Sequence, residues 1–276
     1  MKIGLCLSGG GARGAYQIGV CKALQELGVL SSISAFSGTS IGAVNAAFLA
    51  TTPLQNIIDI WESTHASDLK KTESFFSRIR KEKFSIIEHG LFEINSLADL
   101  LHQHLHVEAL LSKEVYVTLS ESGDVHSGLF GLFKASYEHF FKKDSKVIYS
   151  LLKEQAIGEI IPLILASCSI PIAFPAVQLE DKQYYDGGMY DNVPVEPLVQ
   201  AGCDKILVIH LQRFENAHPE KYPGTDILEI KHKGSLGGIL HFEANQATKL
   251  IEYGYADGIL LAESILHFIE QKSISH

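Results

Sequence analysis

Apolar positions along the chain fall into short runs punctuated by glycine-rich turns. Ile3 to Leu7 is a five-residue apolar run that reads as a buried strand, and it leads directly into Gly9, Gly10, Gly11, Ala12, Arg13 and Gly14. Beyond these, Ile18, Val20, Cys21, Leu24 and Leu27 recur close to a 3.6-residue period, with Gly28 as a C-terminal stop, which predicts a helix. A second strand is expected over about Ile33 to Phe36. It is followed by Gly38-Thr39-Ser40-Ile41-Gly42 and by the apolar run Ala43 to Ala50, a helix buried on all sides. Strand, glycine turn, helix, strand, sharp turn and helix together open a βαβα layer around a parallel sheet.

From Pro53 to about Gln155 the pattern turns helical and more polar, with Asn95 or Ser96 as a cap before Leu97, Leu100, Leu101 and Leu105. Within it, Glu114 to Ser120 (EVYVTLS) alternates as a strand does. The later chain returns to core character. It predicts a helix around Ile157 to Ser167, a hairpin from Val177 to Tyr185 and a helix from Pro194 to Gly202. Strands at Ile206 to Leu211 and Ile227 to Ile230 follow, then mainly helix from Asn245 onward. No repeat or low-complexity tract interrupts the chain, so one domain over 1–276 is expected, with a helical, motif-free region at about 61–155.

Composition narrows the class. Of 276 residues 46% are hydrophobic and 20% charged, the balance of a chain with a substantial core. Lys and Arg number 23 against 32 Asp and Glu, a net charge of −9 that argues against a general nucleic-acid binder. Cys6, Cys21, Cys168 and Cys203 are scattered without a CxxC pair, so neither a zinc site nor a disulfide framework is indicated and a reducing compartment is expected. The apolar run after Lys2 is too short for a signal peptide. Two long uncharged stretches, 27–58 and 160–177, carry Gly38 and Gly42 in one and Pro162, Pro171 and Pro175 in the other, so neither reads as a membrane span. A cytoplasmic or membrane-peripheral protein is the expectation.

Two turns carry candidate chemistry. Gly38 to Gly42 fits GxSxG, the strand-to-helix bend that exposes a serine hydroxyl on strained backbone. Gly9 to Gly14 fits GxGxxG, also a dinucleotide fingerprint. A phosphate-binding NTPase loop, however, needs Lys and Ser or Thr after the last glycine, where Ala15 and Tyr16 stand. A Rossmann site needs an acidic residue near the end of the second strand, and there is no carboxylate between Glu26 and Asp59. What remains for three consecutive glycines is to turn backbone N–H groups toward an anion, an oxyanion or a phosphate. Arg13 either adds positive field there or braces the loop. A nucleophilic serine needs a base. His210, His218, His232 and His241 lie downstream outside any glycine-framed turn, whereas Asp186 sits at a strand end before Gly187 and Gly188.

SGGGARG (Ser8 to Gly14), GTSIG (Gly38 to Gly42) and DGG (Asp186 to Gly188), in that order, resemble the patatin-like phospholipases. ASCSIPIAFPAV (Ala166 to Val177), Asn192-Val193-Pro194 and GYAD (Gly254 to Asp257) are also similar to the family, which often has alanine where Ser169 stands. The resemblance implies an α/β protein with a three-layer α/β/α patatin-like fold and a mainly parallel central sheet. It further implies a serine–aspartate dyad without histidine, with Ser40 as nucleophile and Asp186 as base. The oxyanion hole then falls on Gly9, Gly10, Gly11, Arg13 and Gly14, the nucleophile elbow on Gly38 and Gly42, and the base loop on Gly187 and Gly188. The implied substrate is a phospholipid or other acyl lipid, with no metal or organic cofactor. A soluble carboxylesterase or thioesterase with the same dyad is the alternative enzyme, and a non-catalytic anion- or nucleotide-binding protein the alternative outside enzymes. Ten of the 23 basic residues lie in 70–84 and 134–146 beside Phe75, Phe76, Phe84, Phe140 and Phe141. These stretches read either as solvated helix faces or as a peripheral membrane contact.

Overall fold

The computed structural model describes residues 1–67, 97–121, 146–169, 177–179, 182–186, 188, 191–239 and 244–271. Among these residues eight strands form one sheet: β1 Ile3–Leu7, β2 Ile33–Gly38, β3 Glu114–Glu121, β4 Lys146–Leu151, β5 Val177–Leu179, β6 Lys182–Asp186, β7 Lys205–Ile209 and β8 Asp226–Ile230. The order β3-β2-β1-β7-β8 is parallel throughout, and β4, β6 and β5 add antiparallel pairs at the β3 end. The principal helices are α1 Ala15–Glu26, α2 Ile41–Thr51, α3 Leu54–Ser67, α4 Val107–Leu110, α5 Ile157–Ser167, α6 Glu196–Gln200, α7 Ala244–Leu260 and α8 Ala262–Glu270, with a further helical segment at 97–104.

Side chains alternate across the pleat and so build two separate cores. Leu5, Leu7, Phe36, Val117, Leu207 and Ile209 face a large cluster that takes in Tyr16, Ile18 and Leu24 of α1, Phe48 of α2, Trp61 of α3, Ile164 of α5 and Leu250 of α7. Cys6, Ala35, Ile206 and Val208 face a smaller cluster with Val195, Leu198, Cys203 and Ala217. Helices cover both faces, which gives the expected three-layer α/β/α arrangement around a mainly parallel sheet. In the GYAD segment, Gly254 of α7 lies so close to Tyr16 of α1 that a Cβ would overlap the tyrosine's backbone carbonyl.

One edge of β3 serves two strands. Tyr116 and Val117 pair with β2 on one side and β4 on the other, and Leu119 to Glu121 pair with β4 and with β6. Since β4 runs along one edge for this whole length, β2 and β6 share the opposite edge, end to end. Gly38 stands opposite Val117 and Asp186 opposite Leu119. The strand that leads into Ser40 and the strand that ends in Asp186 thus terminate two β3 residues apart, about 7 Å along the strand.

The local predictions hold for β1, α1, β2, α2, β3, α5, the β5–β6 hairpin and β8. Among the described residues of the motif-free region, β4 is a strand that the pattern at 146–151 does not single out. The helix expected from Pro194 to Gly202 is shorter, Glu196–Gln200. The strand expected to reach Leu211 ends at Ile209, because the Leu211 N–H is donated to the Ser8 hydroxyl (2.9 Å) rather than to a neighbouring strand. The cap expected at Asn95 or Ser96 lies outside the described residues. Among those residues no helix is long and apolar enough to cross a membrane.

A buried chain of amides ties the glycine loop to the helices below it. Gln17 donates from Nε2 to the Ser8 carbonyl (2.8 Å). Asn45 donates from Nδ2 to the Gly14 carbonyl (3.0 Å) and to Gln17 Oε1 (2.9 Å), and Trp61 donates from Nε1 to Asn45 Oδ1 (3.1 Å). Gln17 and Asn45 are fully buried, so their amides depend on protein partners, which for Gln17 Nε2 include the Ile209 carbonyl (3.5 Å) as well. Replacing Asn45 with Leu keeps the branched shape but removes the amide that Trp61 Nε1, the Gly14 carbonyl and Gln17 Oε1 use. We expect it to lower the urea unfolding free energy by about 2–4 kcal/mol and to shift the emission of Trp61, the chain's only tryptophan.

Candidate active site

Ser40 sits between β2 and α2 with φ 55° and ψ −127°. A non-glycine residue in that region costs on the order of 1–3 kcal/mol and persists only where its surroundings fix it. The Ser40 N–H is donated to Ser167 Oγ (2.9 Å), and that hydroxyl is donated to the Thr118 carbonyl of β3 (2.8 Å). The Thr39 N–H reaches the Leu7 carbonyl (3.3 Å), and its hydroxyl the Asp191 carbonyl (3.0 Å). The two framing glycines are required by space. A Cβ on Gly38 would overlap the Gly42 carbonyl, and one on Gly42 would lie 2.7 Å from the Ser8 carbonyl oxygen and closer still to that of Leu7.

The glycine loop packs directly against this turn, since a Cβ on Gly9 would stand 3.3 Å from Cβ of Ser40. Gly11 has φ +57°, and a side chain there would collide with the Ile239 carbonyl. The loop's N–H groups divide into two sets. Gly9 donates to the Asn192 carbonyl (3.2 Å), Ala12 to that of Ile239 (2.8 Å) and Arg13 to that of Gly10 (3.3 Å). The N–H groups of Gly10 and Gly11 have no acceptor among the described residues. Arg13 braces the loop with its side chain, donating from Nε to the Gly237 carbonyl (2.8 Å) and from Nη1 to that of Leu211 (3.5 Å). The Gly14 carbonyl is the one held by Asn45.

For Asp186 the description is confined to its backbone, at the end of β6 opposite Leu119. Gly188 is described and Gly187 is not. Of the four histidines singled out in the sequence, the three that are described each face a carboxylate. His210 Nε2 lies 2.7 Å from Glu229, His218 Nδ1 2.9 Å from Glu220, and His232 Nδ1 2.8 Å from Asp257, which also accepts the Tyr16 hydroxyl (2.9 Å). Burial would push Glu229 up, but the Lys231 ammonium at 2.9 Å, the Ala217 N–H and His210 outweigh it and hold the carboxyl below its ordinary value. His241 and the basic stretches at 70–84 and 134–145 lie outside the described residues. Burial pushes the thiols of Cys6 and Cys21 up, and that of Cys203 up to about 11, so none is a thiolate near neutral pH.

A cavity of about 530 Å³ opens beside Arg13, His210, Arg213, Glu215 and His232, and its lining does not include Ser40. The cavity and the strained serine therefore do not coincide. Sequence reasoning missed Ser167, Asp191 and Asn192 as parts of this arrangement. Ser167 and Asn192 both stand in family-like segments, while Asp191 lies outside them. If the turn at Ser40 is strained, Ser40→Gly is more stable than Ser40→Ala by about 1 kcal/mol. Thermal unfolding of the two variants checks this, and equal midpoints contradict it.

Comparison with known proteins agrees with the geometry. The profile described as patatin-like phospholipase matches residues 5–199, well over half of the chain. Lysophospholipase NTE1 of Cryptococcus neoformans is 24% identical over 226 residues, covering 80% of this chain and 12% of its own length. Triacylglycerol lipase 4 of Saccharomyces cerevisiae is 25% identical over 286 residues, covering 92% of this chain and 30% of its own. The chain therefore spans only a small part of the curated relatives it matches. The human group IVD cytosolic phospholipase A2, solved in complex with methyl γ-linolenyl fluorophosphonate, shares the fold with a TM-score of 0.50 at 11% identity, covering 97% of this chain and 58% of that one. From the match along residues 5–199, the chain belongs to the patatin-like phospholipase family.

Proposed function

We propose that the protein is a serine lipid acyl hydrolase that cleaves acyl esters of phospholipids or related lipids through a dyad of Ser40 and Asp186. The observation that carries this reading is the strained Ser40 turn packed against a loop whose Gly10 and Gly11 N–H groups have no acceptor among the described residues. A nucleophile and a pair of donors in contact are what acyl transfer requires.

In this mechanism the Ser40 hydroxyl attacks the acyl carbonyl carbon as Asp186 takes its proton. The carbonyl oxygen becomes an oxyanion, held by the Gly10 and Gly11 N–H groups. Collapse expels the alcohol, which takes the proton back from Asp186 and leaves Ser40 acylated. Asp186 then removes a proton from water as it attacks the acyl carbon, and returns that proton to Ser40 Oγ as the C–O bond breaks, which frees the fatty acid and restores the serine. Each backbone donor aimed at the oxyanion contributes about 3 kcal/mol to lowering the barrier. An aspartate is a weak base in water, so the scheme depends on a partly dry site. The end-to-end placement of β2 and β6 supports the pairing of these two residues.

Ser40→Ala and Asp186→Asn are each expected to lower kcat by roughly a thousandfold or more, and the double variant to lose little beyond the worse single one. Hydrolysis of phospholipid vesicles and of short-chain esters, measured on all four proteins, checks this. Additive losses contradict a dyad, and turnover of short esters without vesicle hydrolysis assigns a soluble esterase instead.

A further inference from the structure

Asn192 grips Gly9 twice. It accepts the Gly9 N–H on its backbone carbonyl (3.2 Å) and donates from Nδ2 to the Gly9 carbonyl (3.2 Å). The same Nδ2 also donates to Glu215 Oε1. Two acceptors around one group fix the amide with its NH2 toward them. Asn192 is itself held in place on both sides. Asp191 accepts the Val193 N–H (3.1 Å) and the Tyr149 hydroxyl (2.6 Å), and its carbonyl takes the Thr39 hydroxyl. The residues just after the DGG loop thereby touch both halves of the site.

The grip on Gly9 has a consequence for its neighbour. The Gly9 carbonyl and the Gly10 N–H belong to one planar trans peptide and point in opposite directions. Holding that oxygen against Asn192 turns the Gly10 N–H away from Asn192. Without the hold, a peptide between two glycines rotates at small steric cost. We propose that Asn192, oriented by Glu215, is a positioning residue that locks the Gly9–Gly10 peptide with its N–H presented as an oxyanion donor. This rests on the Ser40 hydrolase reading for its catalytic meaning, though the lock itself is a property of the fold.

Glu215 acts through shape as well as charge. Its Oε2 is buried without a partner and lies 3.8 Å from His210 Nδ1, which is buried and unpartnered too. The His210 ring is held on its other side through Nε2 by Glu229 (2.7 Å). A glutamine at 215 keeps an oxygen for Asn192 and turns its NH2 toward Nδ1, so it preserves the lock, whereas leucine removes the acceptor.

The test uses wild type, Asn192→Ala, Glu215→Leu and Glu215→Gln, with Trp61 emission and thermal midpoints confirming that each is folded. An oxyanion donor acts in the transition state and not in substrate binding. Asn192→Ala is therefore expected to lose roughly a hundredfold in kcat and in the rate of fluorophosphonate labelling, with KM changed less than about threefold. Glu215→Leu is expected to lose roughly tenfold, and Glu215→Gln to recover most of that loss. A rise in KM at constant kcat, or equal losses in Glu215→Gln and Glu215→Leu, overturns the proposal. The crystal structure of Asn192→Ala gives a readout independent of activity. A rotated Gly9–Gly10 peptide supports the lock, and an unrotated one overturns it. A wild type that is never labelled sinks the serine-hydrolase reading alone and leaves the lock to that structural result.

Discussion

Everything about the site depends on β3 sharing one edge between two strands that arrive from different parts of the chain. β2 uses the first half of that edge and β6 the second, so Gly38 and Asp186 come to rest opposite Val117 and Leu119. Backbone hydrogen bonding, which is blind to side-chain identity, thus brings together residues that stand far apart in sequence. The antiparallel β4 on the other edge keeps β3 extended along the whole length needed for both pairings.

Strain and its supports are built from the same elements. The positive φ at Ser40 is held by Ser167 at the end of α5 and by the close stacking of Gly38 on Gly42. The buried chain Gln17–Asn45–Trp61 supports the glycine loop from below through the Ser8 and Gly14 carbonyls, while Asn192 and Arg13 hold it from the sides. A loop of consecutive glycines has many conformations available, and fixing it takes partners on several sides. Among the described residues, those partners leave over the N–H groups of Gly10 and Gly11, the pair to which the proposed mechanism assigns the oxyanion.

The opening of the fold is legible in the sequence because its signals are local. An apolar run, a glycine turn and a helical period follow one another from Ile3 to Ala50, and each was assigned without reference to distant residues. Asp186 was legible as a strand-end residue framed by glycines. The strand at 146–151 was not, because its lysine and serine blur the alternation and its pairing with β3 is what makes it a strand. Tertiary contacts also set details against local preference, as where Ser8 takes the Leu211 N–H and ends β7 early. The Asn192–Gly9 contact spans 183 positions. No pattern within either segment encodes it, and Ser167 reads in sequence as one more small residue at a helix end.

The structure of the protein after reaction with an alkyl fluorophosphonate tests the central claim most directly. The account predicts phosphorus bonded to Ser40 Oγ, with the phosphonyl oxygen about 2.7–3.1 Å from the backbone nitrogens of Gly10 and Gly11. Phosphorus on any other residue, or a phosphonyl oxygen out of reach of both loop N–H groups, contradicts it.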